Sequence, residues 1–212
     1  GDFIAFVDDD ATINNEWLDV LLRGIKTIDV DVFGGPIFPK FEVECPEWID
    51  KSYFIRKFRK SDGYLSAILV REGFSGGNMC IKKTIFNKIG NFNVNLGMIG
   101  NKLGLGEESE FFYRLYNKDI RKLYNLEKMS ITHFEAEFKL SKKYLKERIN
   151  LSGQLFTKRT NFEENFLGYL IIFAKIIKQS FGFIVNLILG KKFKYLKCKW
   201  VIQGLIKGVF IQ

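Results

Sequence analysis

The chain has 212 residues, 47% of them hydrophobic, which excludes a disordered chain and leaves room for one domain with a core plus an appendage. Three widely spaced cysteines and a single histidine exclude a disulfide framework, a zinc knuckle and a multi-histidine metal site, and are typical of a reducing cytoplasm. The net charge of +9 is unevenly spread: residues 1–138 carry 18 Lys and Arg against 21 Asp and Glu, and residues 139–212 carry 15 against 3.

This charge distribution predicts two parts. We expect a mildly acidic domain over residues 1–138 and a basic tail over residues 139–212 that binds a polyanion. A buried strand follows Gly1 and Asp2 almost directly. Because a parallel sheet needs neighbouring strands, we also expect that an amino-terminal part of the domain precedes this sequence.

The first predicted element is a strand over Phe3–Val7 that ends in Asp8, Asp9 and Asp10. A short unbroken apolar run predicts a strand buried on both faces of a parallel sheet, and open α/β sheets bind ligands at the carboxyl ends of such strands. On an extended strand Asp8 and Asp10 point the same way and Asp9 points to the other side. Three adjacent carboxylates repel one another unless a cation lies between them. Oxygen ligands suit Mg²⁺ or Mn²⁺, so we favour a metal–diphosphate site over a solvated strand end.

The next elements are a helix that begins near Trp17 and a strand over residues 30–33. Gly76, Gly77 and Asn78 then lead into another short strand. These three residues form either a simple tight turn or a site where a ligand approaches the glycine backbone and the asparagine binds a hydroxyl group.

Two further positions carry candidate chemistry. Glu107 and Glu108 follow a glycine-rich loop and open a helix, where they either offset the helix dipole or supply a general base. His133 ends a predicted strand. It is either structural or, if its strand lies beside the first one, a ligand that completes the coordination of a Mn²⁺-type ion.

The order of these motifs resembles that of the family 2 glycosyltransferases of the GT-A fold. The resemblance covers most of residues 1–150, and its motifs are the aspartate strand, the Glu16-Trp17 helix start, the Gly76-Gly77-Asn78 turn, Gly90-Asn91-Phe92, and Gly106-Glu107-Glu108 with Arg114 after it. It implies an α/β fold with a Rossmann-like, mixed but mainly parallel sheet flanked by helices and followed by an amphipathic helical tail.

The resemblance also implies the chemistry. Asp8 and Asp10, with Asp9 beside them, would hold a nucleotide-sugar such as a UDP- or GDP-sugar through Mg²⁺ or Mn²⁺, and His133 would lie near the metal. Glu108 falls on the base of an inverting transfer, where the family usually has Asp, and Glu107 would orient the acceptor or the base. The acceptor would be a saccharide or a lipid-linked sugar in cell-surface polysaccharide biosynthesis. The alternatives are a metal-dependent nucleotidyltransferase and a non-catalytic sugar-binding module.

The sequence pattern of the tail predicts that it binds a membrane. Residues 166–189 are strongly apolar, and a stripe at helical spacing carries Lys175, Lys178, Gln179, Gly182 and Asn186. A wide apolar face beside a lysine stripe is typical of a helix that lies in the membrane interface. The tail also resembles that of bacterial family members that act on lipid-linked acceptors. We therefore expect a cytoplasmic protein, peripheral on the inner face of the cell membrane, whose basic tail binds anionic lipid rather than nucleic acid.

Overall fold

A computed structural model describes residues 1–65, 73–98, 100, 103–161 and 166–210. The chain divides into two compact units. The first contains Gly1–Glu42, Ser52–Val94 and Glu107–Glu135, and the second contains Val43–Lys51, Asn95–Gly106 and Ala136–Gln212. Residues 43–51 and 95–106 therefore belong to the second unit, although the charge distribution groups them with the acidic domain.

Eight strands and three helices are described in the first unit. The strands are β1 (Phe3–Val7), β2 (Ala11–Ile13), β3 (Val32–Gly34), β4 (Ile37–Phe41), β5 (Gly63–Tyr64), β6 (Asn78–Lys82), β7 (Leu123–Asn125) and β8 (Ile131–Glu135). The helices are α1 (Trp17–Thr27), α2 (Lys83–Ile89) and α3 (Glu107–Asn117). Short 3₁₀ helices cover Lys51–Phe54 and Glu137–Leu140. Helix α2 ends at Gly90, whose φ of 79° lies in the left-handed region that glycine adopts without strain.

The strands form two mixed sheets, in the orders β1-β6-β3-β7-β5 and β2-β8-β4. Among the described strands, β3 with β7 and β4 with β8 are parallel pairs, and the other four pairs are antiparallel. The fold is thus α/β, as expected, but the prediction of a mainly parallel sheet is wrong. The cause is β6, which leaves the glycine turn and runs back antiparallel between β1 and β3.

Strand β1 is also less buried than its sequence predicts. It pairs with β6 on one side and lies at the end of the described strand order. Ile4 and Val7 remain 38% and 40% exposed. An apolar run therefore does not by itself show whether a strand is central or lies at the end of a sheet. The number of neighbouring strands determines how deeply the strand is buried.

The five-stranded sheet is covered by helices on both faces. Alternate residues of β6 separate the two layers, with Met79 and Ile81 in the cluster that includes α2 and α3, and Cys80 in the cluster that includes α1. Strand β3 does the same, since Val32 joins the first cluster and Phe33 the second. This alternation follows from the two-residue side-chain period of a strand.

Three α-helices are described in the second unit, α4 (Lys142–Asn161), α5 (Phe166–Ile188) and α6 (Lys192–Phe210). Helices α4 and α6 run in the same direction and pack through glycines. A Cβ atom on Gly204 would overlap the Asn150 carbonyl, and one on Gly208 would lie 2.7 Å from Thr157 Cβ. The Thr157 hydroxyl accordingly lies 3.1 Å from the Leu205 carbonyl oxygen and donates to it across the helix pair. Such small-residue contacts permit close approach of two helix backbones.

Helix α5 turns part of its predicted polar stripe toward α4 and α6. Gly182 contacts Cys198 of α6, and Lys175 Nζ lies 3.1 Å from the ring centroid of Phe156 in α4. Much of the predicted polar stripe therefore faces neighbouring helices rather than water, and large apolar side chains such as Phe181 are exposed. Within the described part of the chain, one helix is long and apolar enough to cross a membrane, judged by length and composition, and it is α5.

Candidate metal and acid-base site

The three aspartates lie in a turn, not on an extended strand. Strand β1 ends at Val7, and the Ala11 N–H donates to the Asp8 carbonyl at 3.2 Å, which closes the turn before β2. The predicted reason for pairing Asp8 with Asp10 is therefore wrong, because strand alternation does not apply here. Both carboxylates nevertheless approach the same atom, whereas Asp9 is exposed in the turn and is not part of their group.

His133 brings the two aspartates together. It lies within β8 rather than at its end, and β8 pairs with β2 so that His133 is opposite Ala11, the residue after the aspartate turn. Its Nε2 atom is 3.1 Å from Asp10 Oδ1 and 3.4 Å from Asp8 Oδ2. The side chain is 16% exposed, so this group is held by the fold.

The surroundings of His133 favour its charged form. Asp8 raises the pKa of His133 first, Glu135 second and the charge of Asp10 further, to about 9, although partial burial acts in the opposite direction. Glu135 Oε1 is 3.2 Å from Nδ1. Glu135 is missing from the residues selected by sequence, although its spacing of two from His133 places both on one face of a strand.

The donor set of this group fits a divalent ion. One ligand atom from each of Asp8, Asp10 and His133 lies within 4.8 Å of the other two. Two carboxylates and an imidazole suit Mn²⁺, and Glu135 occupies the position of the carboxylate that orients a metal-binding histidine through its other nitrogen. Metal binding and protonation compete for Nε2, so these residues would bind an ion only as His133 loses its proton.

The glycine turn connects this group to Glu108. The Gly76 N–H donates to Glu108 Oε1 at 3.0 Å. A Cβ atom on Gly76 would lie 2.8 Å from that oxygen, and one on Gly77 would lie 2.7 Å from Asp8 Cγ. Because Cα atoms of adjacent residues are about 3.8 Å apart, the Asp8 and Glu108 carboxylates are within about 12 Å of each other. Glu108 is thus half-buried and bordered by the same glycine turn as Asp8, rather than in open solvent.

Helix α3 positions both glutamates. Glu107, Glu108 and Glu110 occupy its first turn, where carboxylates offset the positive end of the helix dipole. Glu107 is half-buried and its Oε2 atom is enclosed by protein. Arg114 binds both oxygens of Glu110 within α3, at 2.6 and 2.8 Å, and joins α3 to the end of α2 because it also donates to the Ile89 carbonyl.

Asn78 does not face this site, which corrects the prediction that it binds a ligand hydroxyl. It is fully buried, and its Oδ1 atom accepts the Trp17 indole N–H at 2.9 Å. Its Nδ2 atom donates to the carbonyls of Pro36 and Met129, at 3.1 and 2.7 Å. The amide is therefore committed to joining α1, β6 and two loops, and the two preceding glycines alone border the carboxylates.

The arrangement combines a metal-type ligand group with a second carboxylate across a glycine turn. Side chains at this spacing can hold an ion-bound anionic group on one side and take a proton on the other.

Two curated proteins are similar in sequence to this chain. A glucosyl-dolichyl phosphate glucuronosyltransferase from Haloferax volcanii is 22% identical over 140 residues, which are 66% of this chain and 45% of that protein. The succinoglycan biosynthesis protein ExoM from Rhizobium meliloti is 28% identical over 116 residues, 53% of this chain and 33% of that protein. The chain thus spans less than half the length of these relatives. No family model matches it.

Proposed function

We propose that this chain carries the metal and acid-base part of an inverting glycosyltransferase of family 2 and GT-A type. The donor is a nucleotide-sugar such as a UDP- or GDP-sugar, and the acceptor is a saccharide or lipid-linked sugar in cell-surface polysaccharide biosynthesis. The observation that carries the proposal is the convergence of Asp8, Asp10 and His133 beside Glu108, across the turn at Gly76 and Gly77.

The similarity to known proteins supports this reading independently of the geometry. One relative is named for transfer of a glucuronosyl group to a glucosyl-dolichyl phosphate, and the other for the biosynthesis of a polysaccharide. Both names concern sugar assembly, and the former names a lipid-linked sugar. The acceptor proposed for this chain therefore includes both a lipid-linked sugar and a saccharide.

Asp8, Asp10 and His133 would hold Mn²⁺ or Mg²⁺, which when bound offsets the negative charge of a diphosphate leaving group. Glu135, 3.2 Å from Nδ1, would orient the His133 ring so that Nε2 faces the two aspartates. The Gly76 N–H holds Glu108 through one carboxylate oxygen. Glu108 removes the proton of the acceptor hydroxyl, the hydroxyl oxygen bonds the anomeric carbon, and the bond from that carbon to the diphosphate oxygen breaks on the opposite face.

The first test separates metal binding from general effects of charge. We expect Asp10→Ala in the full-length protein to weaken Mn²⁺ binding more than about 100-fold, because a direct ligand is lost. Asp9→Ala, the adjacent and exposed aspartate, is the matched control and should change Mn²⁺ affinity by less than about twofold. Titration calorimetry with Mn²⁺ measures both variants. Equal losses in the two would show that net charge, not a defined ligand set, attracts the ion.

The second test concerns the base. With a panel of UDP- and GDP-sugars, Glu108→Gln should keep donor binding and lower turnover about 1,000-fold, since general-base catalysis contributes on the order of 10²–10⁴. Glu44→Gln, at an exposed carboxylate of the second unit, is the control. Full turnover in the Glu108 variant would remove the proposed base. Release of a sugar 1-phosphate instead of a nucleoside diphosphate would identify a nucleotidyltransferase.

A further inference from the structure

Helix α5 turns its apolar side outward. At helical spacing, one face of it carries large side chains that are exposed to between 44% and 78%, among them Leu170, Phe173, Ile177, Phe181, Ile184 and Ile188. The opposite face, which includes Gly168, Lys175 and Gly182, lies against α4 and α6. A helix in water has the reverse arrangement, because water solvates polar groups and excludes apolar ones.

The second unit also carries the charge that an anionic surface attracts. Residues 139–212 have a net charge of +12, and exposed lysines cluster where α5 ends and α6 begins, at Lys191, Lys192 and Lys194. Lys142 and Lys143 add to them at the first turn of α4, which runs parallel to α6. A contiguous apolar face flanked by lysines is complementary to an anionic lipid leaflet, in which acyl chains lie beneath phosphate groups.

The packing of α6 on α5 limits the orientations in which the second unit could bind a bilayer. Cys198 of α6 contacts Gly182 of α5, and the Tyr195 and Phe183 rings are 5.9 Å apart, so the two helices run antiparallel. Lys199 is the next residue along α6, and Lys207 is about 12 Å further along the same helix. Both are exposed and both stand alongside the apolar stretch of α5, which is about 35 Å long.

A crossing orientation would therefore place charged groups in the hydrocarbon. The hydrocarbon core is about 30 Å thick, so a perpendicular α5 would carry Lys199 and Lys207 into it together with its own Lys178. Charged side chains deep in a bilayer are costly, and a flat orientation avoids this because α4 and α6 lie on the side of α5 away from the acyl chains, at the level of the headgroups.

We propose that residues 136–210 bind an anionic lipid bilayer as a monotopic unit, with α5 lying in the plane of the interface and its exposed apolar face toward the acyl chains. Lysines of α4 and α6 contact the headgroup phosphates. This inference concerns the second unit alone and does not depend on the transferase proposal.

The first experiment tests whether the exposed apolar face of α5 binds anionic lipid. We expect the 212-residue chain to sediment with vesicles of phosphatidylglycerol and phosphatidylcholine in equal parts, and much less with phosphatidylcholine alone. Phe173→Glu with Phe181→Glu should lower binding at least about tenfold. The control Val94→Glu, at an exposed apolar residue of the first unit, should stay within about twofold. Circular dichroism checks that each variant is folded.

Three results would overturn the proposal at this stage. They are no binding to the mixed vesicles, equal binding by the double variant and by the control, and self-association through α5 that the double variant abolishes without any vesicle binding. The last result would assign the apolar face to a second copy of the chain.

The second experiment tests the orientation. Cysteines placed at Leu170, Ile177 and Ile184, with Cys45, Cys80 and Cys198 replaced by alanine, carry a fluorophore that is quenched by lipids labelled at known depths. A flat helix places all three probes at one shallow depth, on the order of 5–10 Å below the headgroup boundary. A probe at Ile177 that is clearly deeper than the other two would show that α5 crosses the bilayer and would overturn the proposal.

Discussion

At the scale of single residues, two adjacent glycines border two different carboxylates. Gly76 lies against Glu108 and Gly77 lies against Asp8, in each case so closely that a Cβ atom has no room beside the carboxylate. Substitution of either glycine by alanine must therefore displace the carboxylate that it contacts. The two neighbours differ in the chemistry proposed for them, so the consequences of the two substitutions differ as well.

We expect Gly77→Ala to weaken Mn²⁺ binding at least about tenfold, because Asp8 is forced away from Asp10 and His133. Gly76→Ala should leave Mn²⁺ affinity nearly unchanged and lower turnover about 100-fold, because a shift of about 1 Å in the base disrupts its alignment. Each variant is the control for the other, with calorimetry and a transfer assay as the readouts. If both variants lose metal and activity together, the turn acts as one structural element.

At the scale of secondary-structure elements, the glycine turn is held from behind by a polar contact in the core. Asn78, the first residue of β6, accepts from the Trp17 indole at the start of α1 and donates to two carbonyls. All of these groups are buried, where an unsatisfied donor or acceptor is costly. The contact fixes α1 against β6 and, through β6, fixes the turn that borders the site.

We expect Asn78→Ala to lower the free energy of unfolding by about 3 kcal/mol, since it removes several buried hydrogen bonds and leaves their partners unsatisfied. Trp17→Phe removes the indole donor together with part of the buried ring and should cost about 2 kcal/mol. Urea denaturation of the two single variants and the double variant measures the coupling between them. Additive losses would mean that the hydrogen bond between Trp17 and Asn78 contributes little.

At the scale of the whole molecule, His133 links stability to pH. Its pKa is raised from an ordinary value of 6.5 to about 9 by Asp8, Glu135 and Asp10. A histidine whose pKa is higher in the folded protein stabilises the fold fully below pH 6.5, and this stabilisation is lost as the pH rises through about 9. His133 is the single histidine of the chain, so a variant isolates its contribution.

Between pH 6.5 and about pH 9, the free energy of unfolding of the metal-free protein should fall by up to about 3 kcal/mol more than that of the His133→Gln variant. The difference between the two proteins matters, because lysines and tyrosines titrate at the upper end in both of them. Urea denaturation at a series of pH values provides the comparison. Parallel stability curves for the protein and the variant would show that the carboxylates do not hold the imidazolium.

The local pattern of the sequence determined the types of most elements and the residues from which the site is built. Apolar spacing predicts α1 and α3, the stop of α2 at Gly90 follows from glycine chemistry, and Asp8, Asp10 and Glu108 are acidic residues beside predicted element ends. His133 is recognisable by residue type, although it lies within β8 and not at the predicted strand end. These features depend on neighbours in the chain, which a sequence displays directly.

Tertiary structure alone decided which groups meet. The antiparallel course of β6, the turn that joins Asp8 to Asp10, the role of Glu135 beside His133 and the burial of Asn78 all depend on pairing between distant segments. The same holds for α5, whose polar stripe the sequence displays correctly but whose inward direction is set by α4 and α6. Periodicity shows that a helix has two different faces, and only the packing of other elements determines which of them is turned away from water.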